Sequence, residues 1–124
     1  MLEILRVLFH GTGARRRQSI ERNGLLPKPE SYVCASPKRV IAAVFATARA
    51  EQEDDWGLIV AFLKKGDWEV DPRFPYSLRC KEAVQPSDIV SFEILDPEKE
   101  IEAHGHLKEI VKTLKIRVER MGGL

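Results

Sequence analysis

Apolar positions recur along this chain at two spacings, every second residue in some stretches and every third or fourth in others, which marks strands and helices respectively. The run Leu5 to Phe9 reads as a strand, and His10-Gly11-Thr12-Gly13 closes it. Thr12 suits the N-cap of a short helix from about Gly13 to Asn23, and Gly24 stops that helix as a residue free to turn left-handed. LLPKPES, Leu25 to Ser31, is a proline-stiffened loop before a short strand, Tyr32 to Ala35. Ser36 as N-cap and Pro37 at the first helical position then start a helix rich in Ala and Val that runs to about Ala50.

The second half changes character. EQEDDWG, Glu51 to Gly57, reads as an exposed acidic loop, and Leu58 to Leu63, apolar throughout, as a central strand covered on both faces. After a turn at Gly66-Asp67-Trp68, further strands are expected at Glu69–Val70, roughly Phe74–Tyr76, Arg79–Val84 and Ile89–Leu95. In the last of these Val90, Phe92 and Ile94 alternate with Ser91, Glu93 and Leu95, as a half-buried strand requires. Leu107, Ile110, Val111, Leu114, Val118 and Met121 then return to helical spacing and predict a C-terminal amphipathic helix. The order predicts an α+β fold, with two early helices packed on a mixed or antiparallel sheet.

Composition narrows this picture only slightly. A chain of 124 residues supports one core that buries roughly two-thirds of the unfolded surface, so residues 1–124 are taken as a single domain. With 44% hydrophobic residues, 31% charged residues and a net charge of +1, any contact with an anionic partner has to be local. No apolar run approaches about 18 residues, and the N-terminus lacks a basic flank before an apolar core. Membrane association and secretion are therefore not expected, and a cytoplasmic location is. Cys34 and Cys80 have neither C-x-x-C spacing nor a histidine pattern of zinc ligands, and His104 and His106 have no third ligand in register, so no metal is expected. The two thiols read as small buried residues, with a disulfide left open.

Several residues carry candidate chemistry. Arg15, Arg16 and Arg17 stand at an expected helix start, where the partial positive charge of the helix disfavours cations. With Lys28, Lys38 and Arg39 they form either a solvated basic face or a phosphate-binding one. His10 stands at a strand end before Gly11, where a backbone without a side chain can approach a ligand; a lone histidine there is equally a surface or core residue. On the expected strand Arg79–Val84, period two puts Glu82 on the face of Cys80 and Val84. A carboxylate on an inward face needs a partner or a cleft, which makes Glu82 a functional candidate unless the strand is a short exposed edge. Tyr32 opens a strand as a packing residue or as a face for a flat or cationic ring.

Taken in order, the stretches VLFHGTGARRRQSIERNGLLPK, SYVCASPKRVIAAVFATARA, GLIVAFL and KEAVQPSDIVSFEIL resemble the ADP-ribosyltransferase superfamily, which includes poly(ADP-ribose) polymerases, diphtheria-type toxins and RNA 2′-phosphotransferases. The likeness spans about Val7 to Leu95. It implies two small, mainly antiparallel sheets that form a cleft, with NAD as co-substrate and an ADP-ribose acceptor, protein or nucleic acid, that the sequence leaves open. In the polymerase-like branch it implies a His–Tyr–Glu triad: His10 on the adenosine ribose, Tyr32 stacked on the nicotinamide, and Glu82 as the catalytic carboxylate, with Glu93 as runner-up. It further implies that the Gly11 backbone holds the nicotinamide carboxamide, that Phe45 is a second aromatic wall, and that Thr12, Arg15 and Ser36 lie in the NAD site. The carboxylate's task is to stabilise positive charge on the ribose as nicotinamide leaves. YVCAS and AVQPSDI are also similar to the RNA 2′-phosphotransferase branch, which implies reliance on histidine and on Arg15, Arg16, Arg17 and Arg39 in place of a glutamate. A non-catalytic reader of NAD, ADP-ribose or nucleic acid is the further alternative.

Overall fold

The computed structural model describes residues 6–27, 31–74 and 76–103. Strand β1, Val7–Gly13, is longer at its C-terminal end than the sequence suggests, because β3, Gly57–Leu63, pairs with it residue for residue from Val7↔Leu63 to Gly13↔Gly57. His10 therefore lies in mid-strand opposite Val60, and Thr12 is a buried strand residue that caps nothing. The backbone turns next through a single 3₁₀ turn, Ala14–Arg16, into α1, Arg17–Asn23. Gly24 ends α1 at φ 75°, as expected of a glycine; a Cβ there would stand 1.9 Å from the Val84 carbonyl oxygen, to which Leu25 is bridged.

Two antiparallel sheets result. The first has the order β1-β3-β6, with β6 spanning Ile89–Leu95, and the second has the order β2-β5-β4, with β2 Val33–Ala35, β5 Leu78–Cys80 and β4 Glu69–Val70. Leu8, Leu58, Val60 and Phe62 on one face of the first sheet meet Val33, Ala35 and Val84, forming a common core between the sheets. Against the opposite face lies α2, Arg39–Glu53. Its Ala42, Ala43 and Ala46 pack on Ile59 and Leu95. Small residues let the helix backbone sit directly on β1: a Cβ on Gly11 would lie 2.0 Å from the Ala42 carbonyl oxygen. β3 is thus covered on both faces, as its unbroken apolar run predicts.

Other expectations are corrected. Lys38, in an extended conformation, is the N-cap of α2, while the Ser36 hydroxyl accepts the Lys38 N–H at 3.1 Å just before the helix. The helix continues through Glu53, so the acidic stretch after Ala50 is partly helical and Glu53 is half-buried among arginines. Phe74 and Tyr76 lie in turns, and β5 ends at Cys80, because the chain bends at Lys81–Glu82 before Val84 rejoins Leu25. In β6 the register shifts between Ala61↔Ser91 and Phe62↔Ile89, which leaves Val90 as an extra, exposed residue. Only Phe92 of the three alternating apolar residues packs against the core, while Ile94 stays partly in solvent on this edge strand. A short helix, α3, Pro97–Ala103, follows β6. Lys28, His104, His106 and the expected C-terminal helix lie outside the described residues. No helix among the described residues is long and apolar enough to cross a membrane.

Candidate functional site at the parting of two sheets

β1 and the chain just past the end of β2 share one backbone bridge, and the two strands then separate. Phe9 exchanges both backbone hydrogen bonds with Ser36, at 2.8 and 2.9 Å, so its N–H and C=O point away from β3. Backbone direction alternates along a strand, so the N–H and C=O of Gly11 point to that same side, where β2 no longer pairs with β1. A cavity of about 490 Å³ opens in this wedge. Its walls are His10, Gly11 and Thr12 of β1, Tyr32 to Ser36 around β2, Phe45 and Arg49 of α2, Arg16 before α1, and Arg73, Phe74 and Ser77 from the segment between β4 and β5.

His10 projects on the inner face with Leu8, and its Nδ1 donates to the Cys34 carbonyl at 2.6 Å. That bond fixes the tautomer of the neutral ring and leaves Nε2 as an acceptor. Burial, together with the charges of Arg49 and Arg16, holds its pKa below the ordinary value and outweighs the carbonyl contact. Phe45 meets Phe74 edge to face with centroids 5.2 Å apart. The Arg79 guanidinium lies 4.2 Å from the Tyr32 ring centroid, so one aromatic face is already engaged by a cation.

The cationic lining is organised from behind by two carboxylates. Asp71, fully buried, takes the Arg73 side chain in a bidentate pair at 3.0 and 2.9 Å and also accepts the Arg73 backbone N–H at 2.9 Å. Burial alone would raise the Asp71 pKa, but these bonds, with the Cys34 thiol, hold it below the usual value. Burial and the neighbouring Asp71 push the Cys34 thiol up to about 11, so it is no nucleophile at neutral pH. Cys34 stands opposite Arg79 whereas Cys80 stands opposite Val33, which sends their side chains to opposite sheet faces, and both cysteines are free. The second carboxylate, Glu53, pairs with Arg16 and with Arg49, the latter at 3.3 Å.

The structure thus brings together His10, Gly11, Thr12, Arg16, Tyr32, Ser36 and Phe45 as one wall set. It does not bring in the others. Arg15 is turned to Glu53 and Asp55, Arg17 to Glu21 at 2.8 Å, and Arg39 to Glu93 at 2.6 Å. The arginines of the helix start are therefore mostly matched by the protein's own carboxylates. Glu82, past the end of β5, is exposed and outside the lining, with its Oε2 beside Gly66. Glu93 is likewise on the surface beside Arg39. The inward placement expected of Glu82 extended a period-two pattern beyond the residues that form the strand.

Arg49 and Arg73 are functional candidates that the sequence reading passed over. Ala42, Phe45 and Arg49 are three and four residues apart, the spacing of one helix stripe, and all three face the cavity. Arg73 follows Asp71-Pro72, a turn-starting pair whose aspartate bonds the backbone two residues on. Gly11 also has a further role: its missing Cβ makes room for α2 while its backbone edge faces the cavity. No protein-family model, curated protein or solved structure matches the chain.

Proposed function

We propose that this cavity binds NAD and that the chain is an ADP-ribosyltransferase of the minimal two-sheet type, passing ADP-ribose to a phosphate-bearing acceptor. The observation that carries the reading is the charge of the lining: Arg16, Arg49 and Arg73 face the cavity beside the neutral His10, and among the described residues no carboxylate does. Such a wall suits a pyrophosphate, which guanidinium groups hold by paired, charge-assisted hydrogen bonds. The open edge of Gly11 offers one donor and one acceptor side by side, the complement of a primary carboxamide such as that of nicotinamide. The unprotonated Nε2 of His10 suits a ribose hydroxyl, and Tyr32 and Phe45 suit the flat rings.

The same lining favours a particular acceptor. A hydroxyl or amine has to lose a proton as it attacks, and no lining carboxylate stands ready to take it. A phosphate monoester is already largely ionised at neutral pH, its second pKa being about 6. Its oxygen forms a bond to the ribose carbon as the carbon–nitrogen bond breaks, the bonding electrons leave with neutral nicotinamide, and no proton needs removing. Arginines supply the positive field that such an attack by one anion on a doubly phosphorylated substrate requires. This chemistry lies closer to the RNA 2′-phosphotransferase branch than to the glutamate-dependent one.

Nicotinamide release from NAD tests the proposal, with an oligoribonucleotide carrying a terminal or 2′-phosphate and its unphosphorylated counterpart as acceptors. Release is expected only with the phosphorylated strand, to be lost in Arg49→Ala and Arg73→Ala, and to persist in Glu82→Ala. Release abolished by Glu82→Ala with NAD still bound would restore the glutamate-dependent reading. NAD binding without release under any condition would make the chain a reader.

A further inference from the structure

Glu53 occupies an unusual position for a carboxylate beside a site that favours anions. It is the last residue of α2, and three arginines surround it: Arg15 with Nε 2.9 Å from Oε2, Arg16 on Oε1, and Arg49 with Nε 3.3 Å from Oε1. Arg15 also donates to the Glu53 backbone carbonyl at 2.7 Å, where the helix dipole is negative. The carboxylate is only 11% exposed, and its buried Oε2 takes no hydrogen bond in spite of the nearby Arg15. A carboxylate kept in that state is costly. Room for it comes from Gly13, where a Cβ would lie 3.2 Å from Arg16 Nη1 and 3.3 Å from Glu53 Oε1. Of its three partners, Arg16 and Arg49 line the cavity and Arg15 does not.

We infer that Glu53 is a positioning residue, which draws Arg16 and Arg49 from two separate elements onto one carboxylate so that both guanidinium groups face a single bound pyrophosphate. The inference rests on the anion-binding reading of the cavity. Two like charges on half-buried side chains repel: the Arg16 charge, after burial, lowers the Arg49 pKa, and Glu53 opposes that. Without a shared anion between them, the two guanidiniums separate and the gap fitted to a diphosphate is lost.

Simple electrostatics and positioning give opposite signs, which makes the test sharp. Were the arginines fixed by packing alone, removing a negative charge next to a bound anion would strengthen anion binding. Positioning requires that it weaken. The probes are inorganic pyrophosphate, ADP-ribose and adenosine, titrated calorimetrically onto the full chain and its variants. Glu53→Gln is expected to weaken pyrophosphate and ADP-ribose by about tenfold, the loss of roughly one charge-assisted hydrogen bond. Adenosine affinity stays unchanged, which a general collapse of the fold would not permit.

In an Arg16→Ala/Arg49→Ala background Glu53→Gln has no further effect, since it acts only through those side chains. If the Gln variant does not fold, Glu53→Asp serves: it keeps the charge, draws the carboxylate back by one methylene, and is expected to weaken pyrophosphate several-fold with adenosine unaffected. Pyrophosphate bound as tightly or more tightly by the folded Gln variant, or equally by the Asp variant, overturns the inference. Wild-type binding of pyrophosphate but not ADP-ribose overturns the proposed function and leaves the role of Glu53 standing. Binding of neither overturns both.

Discussion

His10 shows how a single side chain can serve the fold and the site at once. Its Nδ1–H is committed to the Cys34 carbonyl, so it ties β1 to β2 just where the strands part, and the neutral ring keeps Nε2 as an acceptor. The fold favours that neutral form, because burial and then the charges of Arg49 and Arg16 lower its pKa from 6.5. A base with a lowered folded pKa contributes stability that is complete above its unfolded value and is lost as pH falls from there through the folded value. Wild-type protein is therefore expected to lose stability as pH drops below about 6.5, and His10→Gln, which has no ring to protonate, to lose less over the same interval. Urea midpoints measured across that range check this. Parallel curves for the two proteins would mean that His10 titrates alike in the folded and unfolded chains.

Among the elements, α2 does the most varied work. Its alanines lie against Gly11 and Ile59, its Phe45 and Arg49 face the cavity, and its last residue gathers the arginines. It ends on Asp54 at φ 51°, a left-handed position that favours glycine, and it places an acidic side chain at the negative end of the helix. Asp54→Gly removes both penalties and is expected to stabilise the protein by about 1 kcal/mol, read as a raised urea midpoint with an unchanged slope. An unchanged or lower midpoint would show that the Asp54 side chain supports the neighbouring arginine cluster. The start of this helix, expected at Pro37 after a Ser36 N-cap, lies two residues on at Arg39, but its apolar stripe was legible in the sequence because alanines at that spacing are a local signal. Its last turn was not, since Glu51 to Glu53 look like an exposed acidic stretch until Arg15 and Arg16, distant in sequence, are folded against Glu53. Glu82 failed in the opposite way: a local alternation was extended past Cys80, where pairing with β2 stops. The order of His10, Gly11, Tyr32 and Ser36 located the cavity wall, but Arg49 and Arg73 went unmarked, because an arginine four or two residues from its carboxylate, as with Glu53 and Asp71, fits a solvated surface equally well.

At the scale of the molecule, the two sheets share a core and, among the described residues, one backbone bridge, and the bridge depends on Ser36. Its N–H and C=O pair with Phe9, while its hydroxyl donates to the Tyr76 carbonyl at 2.6 Å and accepts the Lys38 N–H at 3.1 Å. One buried residue thus joins the first sheet, the end of β2, the entry to α2 and the segment before β5. That segment holds Tyr76 at φ 58°, a conformation an aromatic residue adopts only when its surroundings enforce it. Ser36→Ala keeps the backbone bridge but takes a partner from the Tyr76 carbonyl and the Lys38 N–H, and is expected to cost about 1–3 kcal/mol. The loss should be uneven. Amide exchange is expected to quicken in β5 and in the residues before it, where the hydroxyl holds the Tyr76 carbonyl, and to change little in β1 and β3, whose ladder is intact. A uniform increase would mean that both sheets open as one unit, and that the cavity's second wall, with Arg73, is held by the common core rather than by this contact.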